Sequence, residues 1–282
     1  MIELNIITPT GAKMPLVGNP YFVPRVEGMT QYSASIATST TYNSDGDSIN
    51  NIKGNARDII ILLEIRDNAD VNAAYEYITQ YIKPKQTVTL EAVRDGQARH
   101  ISGVLGEFDM PRFVKAVTAT ISLYCSQPFW EDAVFVVRTI ETVQAMHHFE
   151  VVFPSDTAGN PQGIVLGVYD TNRTRTFTNS GHVAVGMEIT IIANGTVVNP
   201  VLQRSDGQFI GIYDTLTAND EIIISTVKRN KTITKNGVNI LNKIMPRSTF
   251  MQLEPGENIF TIDADGGEDN MYFTFQYKQR YI

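Results

Sequence analysis

The residues best suited to chemistry are scattered along the chain. His147 and His148 are adjacent. In a strand they would point to opposite faces and could not share one metal ion. His100 and His182 stand alone, and a lone imidazole without a placed partner reads as a structural or surface group. Asn43-Ser44-Asp45-Gly46-Asp47 opens like a calcium loop, but its twelfth position is Gly54, where such a loop closes with a glutamate. A solvated turn is the better reading. Asp263-Ala264-Asp265-Gly266-Gly267-Glu268-Asp269 is a denser carboxylate cluster. An acidic hairpin tip that resists edge pairing explains it, and a weak calcium site is the sharper alternative. Cys125 falls on the apolar face of a predicted strand, which suits an inert buried thiol better than a nucleophile. Trp130 could offer a sugar-stacking face, yet Pro128 and Phe129 beside it favour packing at a domain junction. No GxSxG elbow, HExxH pair or phosphate-cradling GxxxxGK[ST] loop occurs. We therefore assign no catalytic, cofactor-binding or metal-binding residue and expect no cofactor.

Composition narrows the partners. The chain has 282 residues, room for one large or two ordinary domains, and 43% of them are hydrophobic against 19% charged. That is enough to fill a core. Thirty Asp and Glu against 23 Lys and Arg leave a net charge of -7. Gripping a nucleic acid needs clustered cations. The densest basic run, Lys228-Arg229-Asn230-Lys231, sits between two predicted strands as a solvated hairpin end. One cysteine permits no disulfide within the chain. The N-terminal segment lacks the basic and apolar regions of a signal peptide, and no apolar run approaches the roughly 20 residues of a membrane span. A soluble product made without Sec export is expected. The glycosylation patterns at Asn172, Asn194 and Asn230 accordingly carry no weight.

The elements that must position these residues are mostly strands. Arg57 to Ile65 reads as a strand buried on both faces. A helix follows over about 69–82, with Val71, Ala74, Tyr75, Ile78 and Ile82 on one face. Asn68 or Asp70 caps it and Lys83-Pro84 stops it. Thr87 to Val93 alternates, Asp95-Gly96 turns the chain, Ala98 to Phe108 returns, and Phe113 to Ser126 is a further strand. Residues 28–56 are rich in Ser, Thr, Asn and Gly and predict a long exposed loop or arm, which in an oligomer could lie against a neighbouring copy. Beyond Arg138 the chain predicts short strands between turn signals such as Pro154-Ser155-Asp156, Asn179-Ser180-Gly181, Asn236-Gly237 and Pro255-Gly256, the grammar of a β-sandwich. In the last long strand Met271, Phe273, Phe275 and Tyr277 face one way.

Several of these motifs occur in one order. Cys125 to Phe129 closes the first half. Asn179-x-Gly181, Pro200, Leu216 with Asp220 to Ile224, Lys235-Asn236-Gly237 and Leu253-x-Pro-Gly-x-Asn258 follow in the second. Over nearly its full length the chain resembles the phage distal tail proteins, the Dit family of long non-contractile tails. The resemblance implies a mainly β fold: residues 1–138 as an α+β belt domain that builds a hexameric ring, and residues 139–282 as a galectin-like β-sandwich. It further implies a structural, non-enzymatic role at the tail tip of the virion, assembled in the cytoplasm of the bacterial host. The ring's partners would be the tail tube protein, the baseplate hub or tail-associated lysin, and receptor-binding proteins. Specific nucleic-acid binding and a membrane span are not expected. The chain is too short to hold an inserted sugar-binding module. A carbohydrate-binding sandwich with exposed aromatics on a concave face is the competing reading, and an enzyme with converging titratable groups is the third.

Overall fold

Alternation of apolar and polar side chains decides most of this architecture. The structure is a computed structural model that describes residues 2–18, 20–40, 42, 45–66, 70–111, 117–141 and 173–282. Asn43, Ser44, Asn68, Phe113, His147, His148, the Pro154-Ser155-Asp156 turn and Asn172 lie outside the described residues. Two units are present: Met1–Val134 with Arg280–Ile282, and Phe135–Gln279. No helix among the described residues is long and apolar enough to cross a membrane.

The first unit holds β1 (Glu3–Ile7), β2 (Lys13–Pro15), β3 (Tyr21–Glu27), β4 (Ala34–Thr40), β5 (Asp47–Gly54), β6 (Arg57–Ile65), α1 (Val71–Tyr81), β7 (Thr87–Arg94), β8 (Gln97–Asp109), β9 (Val117–Cys125) and β10 (Trp130–Asp132). Antiparallel pairing sets the sheet order β2-β1-β7-β8-β9-β6-β3, with β10 joined to β8. Ile59, Ile61, Leu63 and Ile65 are buried, but Asp58 is exposed and Ile60 and Leu62 are half-buried. β6 therefore buries one face rather than both, as antiparallel strands commonly do. The Asp70 carboxylate accepts from the Asn72 and Ala73 amides at 2.9 and 3.3 Å and caps α1. Ala74 and Ile78 bury its inner face. Asp95 and Gly96 take φ of 53° and 78°, the left-handed pair of a two-residue hairpin turn. That turn fixes the register of β7 on β8, including Glu91 opposite His100.

The second unit holds β11 (Val136–Glu141), β12 (Thr174–Asn179), β13 (Glu188–Ala193), β14 (Val197–Val198), β15 (Val201–Arg204), β16 (Phe209–Gly211), β17 (Thr215–Leu216), β18 (Glu221–Ser225), β19 (Thr232–Lys235), β20 (Val238–Asn239), β21 (Gly256–Asp263) and β22 (Met271–Tyr277). Among the described residues, one sheet runs β11-β22-β13-β18-β19-β20 and another β12-β21-β15-β16. Aromatic rings join the two. Phe177 of β12 lies 4.8 Å from Phe275 of β22, and Phe260 of β21 lies 5.6 Å from both. Facing sheets with interdigitated inner side chains make a sandwich. Arg138, where the sequence places the boundary, lies inside β11, which pairs along its length with β22. The sandwich thus begins a few residues earlier. Last comes β23 (Arg280–Tyr281), which pairs with β10 and belongs to the first unit.

Candidate functional site

Of the loop or arm expected over residues 28–56, the described residues form an exposed arm built on two paired strands. Ala34 to Thr40 and Asp47 to Gly54 zip into an antiparallel hairpin whose strand residues are all exposed. The sequence hides it because burial never imposes alternation on it, while isoleucine and threonine still favour extended backbone. A register shift between Ala37 and Thr38 has a consequence for the hairpin's faces. Ile36 stands opposite Ile52 and Thr38 opposite Ile49. The extra residue on β5 turns Ile49 onto the face that carries Ile36 and Ile52. Those isoleucines are 58%, 62% and 62% exposed. Ser35, Ser39, Ser48, Asn51 and Lys53 occupy the other face. The hairpin is therefore amphipathic, with its apolar face open. A two-stranded hairpin is marginal alone in water.

Its root is fixed. Gly28 has φ of 75°, and a β-carbon there would overlap the Asp58 carbonyl oxygen, so only glycine fits. The Met29 carbonyl accepts from Arg57 Nη1 at 2.8 Å and from Trp130 Nε1 at 3.1 Å. Tyr32 packs on Phe129 at 5.4 Å, and Asn55 donates to the Ser33 carbonyl and accepts from Ser35 Oγ. Arg57 is buried, and its Nε and Nη2 have no hydrogen-bond partner among the described residues. A groove of about 530 Å³ opens beside the root, walled by Ile2, Met29, Trp130 and Ile282 with Arg94 and Arg99.

The residues whose types could do chemistry take structural roles, as their sequence context favours. Trp130 is buried, so it is a core anchor and not a sugar platform. Cys125 is buried, and desolvation pushes its thiol up to about 11 against the pull of Arg57. His100 Nε2 lies 3.0 Å from Glu91 Oε2. Glu91 also accepts from Asn5 Nδ2 at 2.9 Å and pairs with Lys13. Burial alone would raise that carboxyl, but the bonds from Lys13, His100 and Asn5 outweigh it and hold the group below its usual range. The carboxylates of the acidic tip go to separate partners. Asp265 accepts from Asn199 at 2.7 Å, while Glu268 and Asp269 face Arg173 at 3.7 and 3.3 Å. Among the described residues no three His, Cys, Asp or Glu side chains gather as a metal site. The contacts above are those of anchors and of a surface.

Residues 180–281 match the family described as siphovirus-type tail component, C-terminal domain. Comparison with curated proteins finds no match. Among solved structures, the crystal structure of Dit from phage SPP1, titled a paradigm of the hub adsorption apparatus in phages infecting Gram-positive bacteria, aligns with a TM-score of 0.71. It is 14% identical, and the alignment covers 99% of each chain. This chain has the fold of a phage Dit protein. A chain of the phage P2 baseplate in its activated conformation with calcium aligns with a TM-score of 0.50 at 11% identity, over 99% of this chain and 98% of that one.

In this Dit fold the sandwich turns are held by charge. Lys235 Nζ lies 3.4 Å from Asp214 and 3.1 Å from Asp220, and Lys243 Nζ lies 3.0 Å from Asp214. Asp220 also accepts from the Thr217 amide and from Asn236. Those bonds, from Thr217 first and then Asn236 and Lys235, drive the Asp220 carboxyl far below its ordinary value. Asp214 is lowered too: burial pushes it up, and the two lysines more than reverse that. A carboxyl with a depressed folded pKa stabilises above its unfolded value and loses that contribution as pH falls through the folded one. Stability of the sandwich should thus be level above about pH 5 and fall once pH drops below about 4, where unfolded aspartate takes up protons. Asp220→Asn should melt lower than the parent at neutral pH, with the gap closing in acid. Thermal melts from neutral to strongly acidic pH check this, and a constant gap would contradict it.

Proposed function

We propose that this chain is a non-enzymatic structural component of a phage tail tip. Copies of it assemble into a ring, of six by the family resemblance, in the virion tail. The ring joins the tail tube to the baseplate hub or tail-associated lysin and presents a surface for receptor-binding proteins. Assembly takes place in the cytoplasm of the bacterial host. The Dit fold and the tail-component match of the sandwich support the setting. One observation carries the self-assembly: an amphipathic hairpin on a rigid root, with Ile36, Ile49 and Ile52 in water. Each isoleucine already has part of its surface covered, so burying the rest is worth about 1–2 kcal/mol, and a head-to-tail contact repeated around an axis closes a ring without leaving an open end.

Sedimentation and electron imaging of the purified chain should show annular particles at high concentration. Substituting Ile36, Ile49 and Ile52 together by serine should leave the monomer folded, because all three are exposed, and should abolish the rings. A parent chain that stays monomeric at high concentration, in particles that lack an annulus of it, would refute the reading.

A further inference from the structure

The sandwich is electrically polarised along its strands. β13 pairs antiparallel with both β18 and β22, with Glu188 opposite Ser225 and Gln276, and Ile192 opposite Glu221 and Tyr272. The turn after β18 and the turn before β22 therefore lie at opposite ends of one sheet. About 17 Å of strand separates them at 3.3 Å per residue.

At the β18 end lie Lys228, Arg229 and Lys231, all exposed. Lys231 Nζ stands 5.3 Å from the Phe250 ring, which ties this turn to the segment carrying exposed Arg247. Arg229 and Arg247 have φ of 70° and 67°, where a long side chain is uncommon. Glu188, Asp206, Glu254 and the exposed Glu257 share this end, but among the described residues none of them forms an ion pair with these four cations. Asp206 is taken by Arg204 at 2.6 Å. At the other end the Asn194 and Ala193 amides tie the turns together, donating to the Asn270 and Asp220 carbonyls. Asp263, Asp265, Glu268 and Asp269 gather there with Asp214, Asp220 and Glu221, against Arg173, Lys235 and Lys243.

We propose that the Lys228–Lys231 turn is a docking surface for a second copy of this chain, and that it receives the acidic Asp263–Asp269 turn of that copy. Each sandwich then offers two unlike, complementary ends, as a heterologous contact requires. The proposal rests on the self-assembly argued above and adds which surfaces of the sandwich meet. Complementary exposed charges set register and association rate more than bulk affinity, and salt screens them over about 10 Å.

The test uses full-length chain in sedimentation velocity at about 50 mM and about 500 mM salt, across a Debye length of roughly 14 and 4 Å. The basic-end variant is Lys228→Glu with Arg229→Glu and Lys231→Glu. The acidic-end variant is Asp265→Lys with Asp269→Lys. The parent should associate more weakly at high salt. Each variant alone should associate about tenfold more weakly than the parent at low salt. An equimolar mixture of the two should recover association, because every contact in an alternating ring is again attractive. Thermal melts report whether each variant folds, and if the lysine pair does not, Asp265→Asn with Asp269→Asn should give an intermediate loss. Variants that assemble like the parent, or a mixture as weak as its parts, overturn this proposal and leave the hairpin reading standing. A parent chain monomeric in both salts overturns the hairpin reading itself.

Discussion

Phe275→Ala should lower the stability of the sandwich by about 4 kcal/mol, in the range for deleting a buried aromatic. The ring is fully buried on β22 and touches Phe177 and Phe260 of the opposing sheet at 4.8 and 5.6 Å and Phe273 on its own strand at 6.4 Å. These contacts cross the sandwich, so the cavity has no flexible wall to collapse it. Two sheets would lose transfer energy and packing at once. Thr274, one residue away, points to the other face and is only half-buried. Thr274→Ala should cost less than about 1 kcal/mol. Denaturant unfolding followed separately for the two units measures both, since a chain of two units need not unfold in one step. Equal losses at 274 and 275 would show that the aromatic layer is not what clamps the sheets.

That contrast is readable in the sequence. Met271, Phe273, Phe275 and Tyr277 alternate with polar residues, and burial on one face writes that pattern directly. The Asp70 cap and the Asp95-Gly96 turn were legible for a similar reason: their geometry depends on neighbours in sequence. The turn even encodes the Glu91–His100 contact, because a two-residue turn fixes which residues face each other across it. His100 read in isolation lost that partner. The strands Ala34–Thr40 and Asp47–Gly54 escaped because no described residue buries them, so no periodicity marks them. The root of the hairpin escaped as well. It depends on Arg57 and Trp130 meeting at one carbonyl, 28 and 101 residues away in sequence. The polarity of the sandwich is likewise a property of topology. The basic run and the acidic cluster are each visible, but only the pairing of β13 with β18 and β22 places them at opposite ends.

Removing Arg280–Ile282 should destabilise the first unit by about 3–4 kcal/mol and leave the sandwich transition in place. These last residues return to the unit where the chain began and close it through β23 on β10. Tyr281 carries most of the effect. It is 8% exposed, its ring lies 3.6 Å under the Arg99 guanidinium, and its hydroxyl is 3.3 Å from Asp132 Oδ2. Losing a largely buried aromatic costs about 3 kcal/mol or more, and a partly desolvated cation–π contact adds about 1. Arg280 looks stronger on distance alone, with Nε and Nη2 at 2.8 and 2.7 Å from Glu131 Oε1. Its ion pair is partly open to solvent, so its net worth is about 1 kcal/mol or less. Tyr281→Ala should therefore reproduce most of the truncation, and Arg280→Ala little of it. The two effects separate in thermal melts with hydrogen exchange read on β10 and β8. If Arg280→Ala matches the truncation, charge and not ring burial closes the unit. If the sandwich transition moves as far as the first unit's, the last strand is not local to the sheet that it completes.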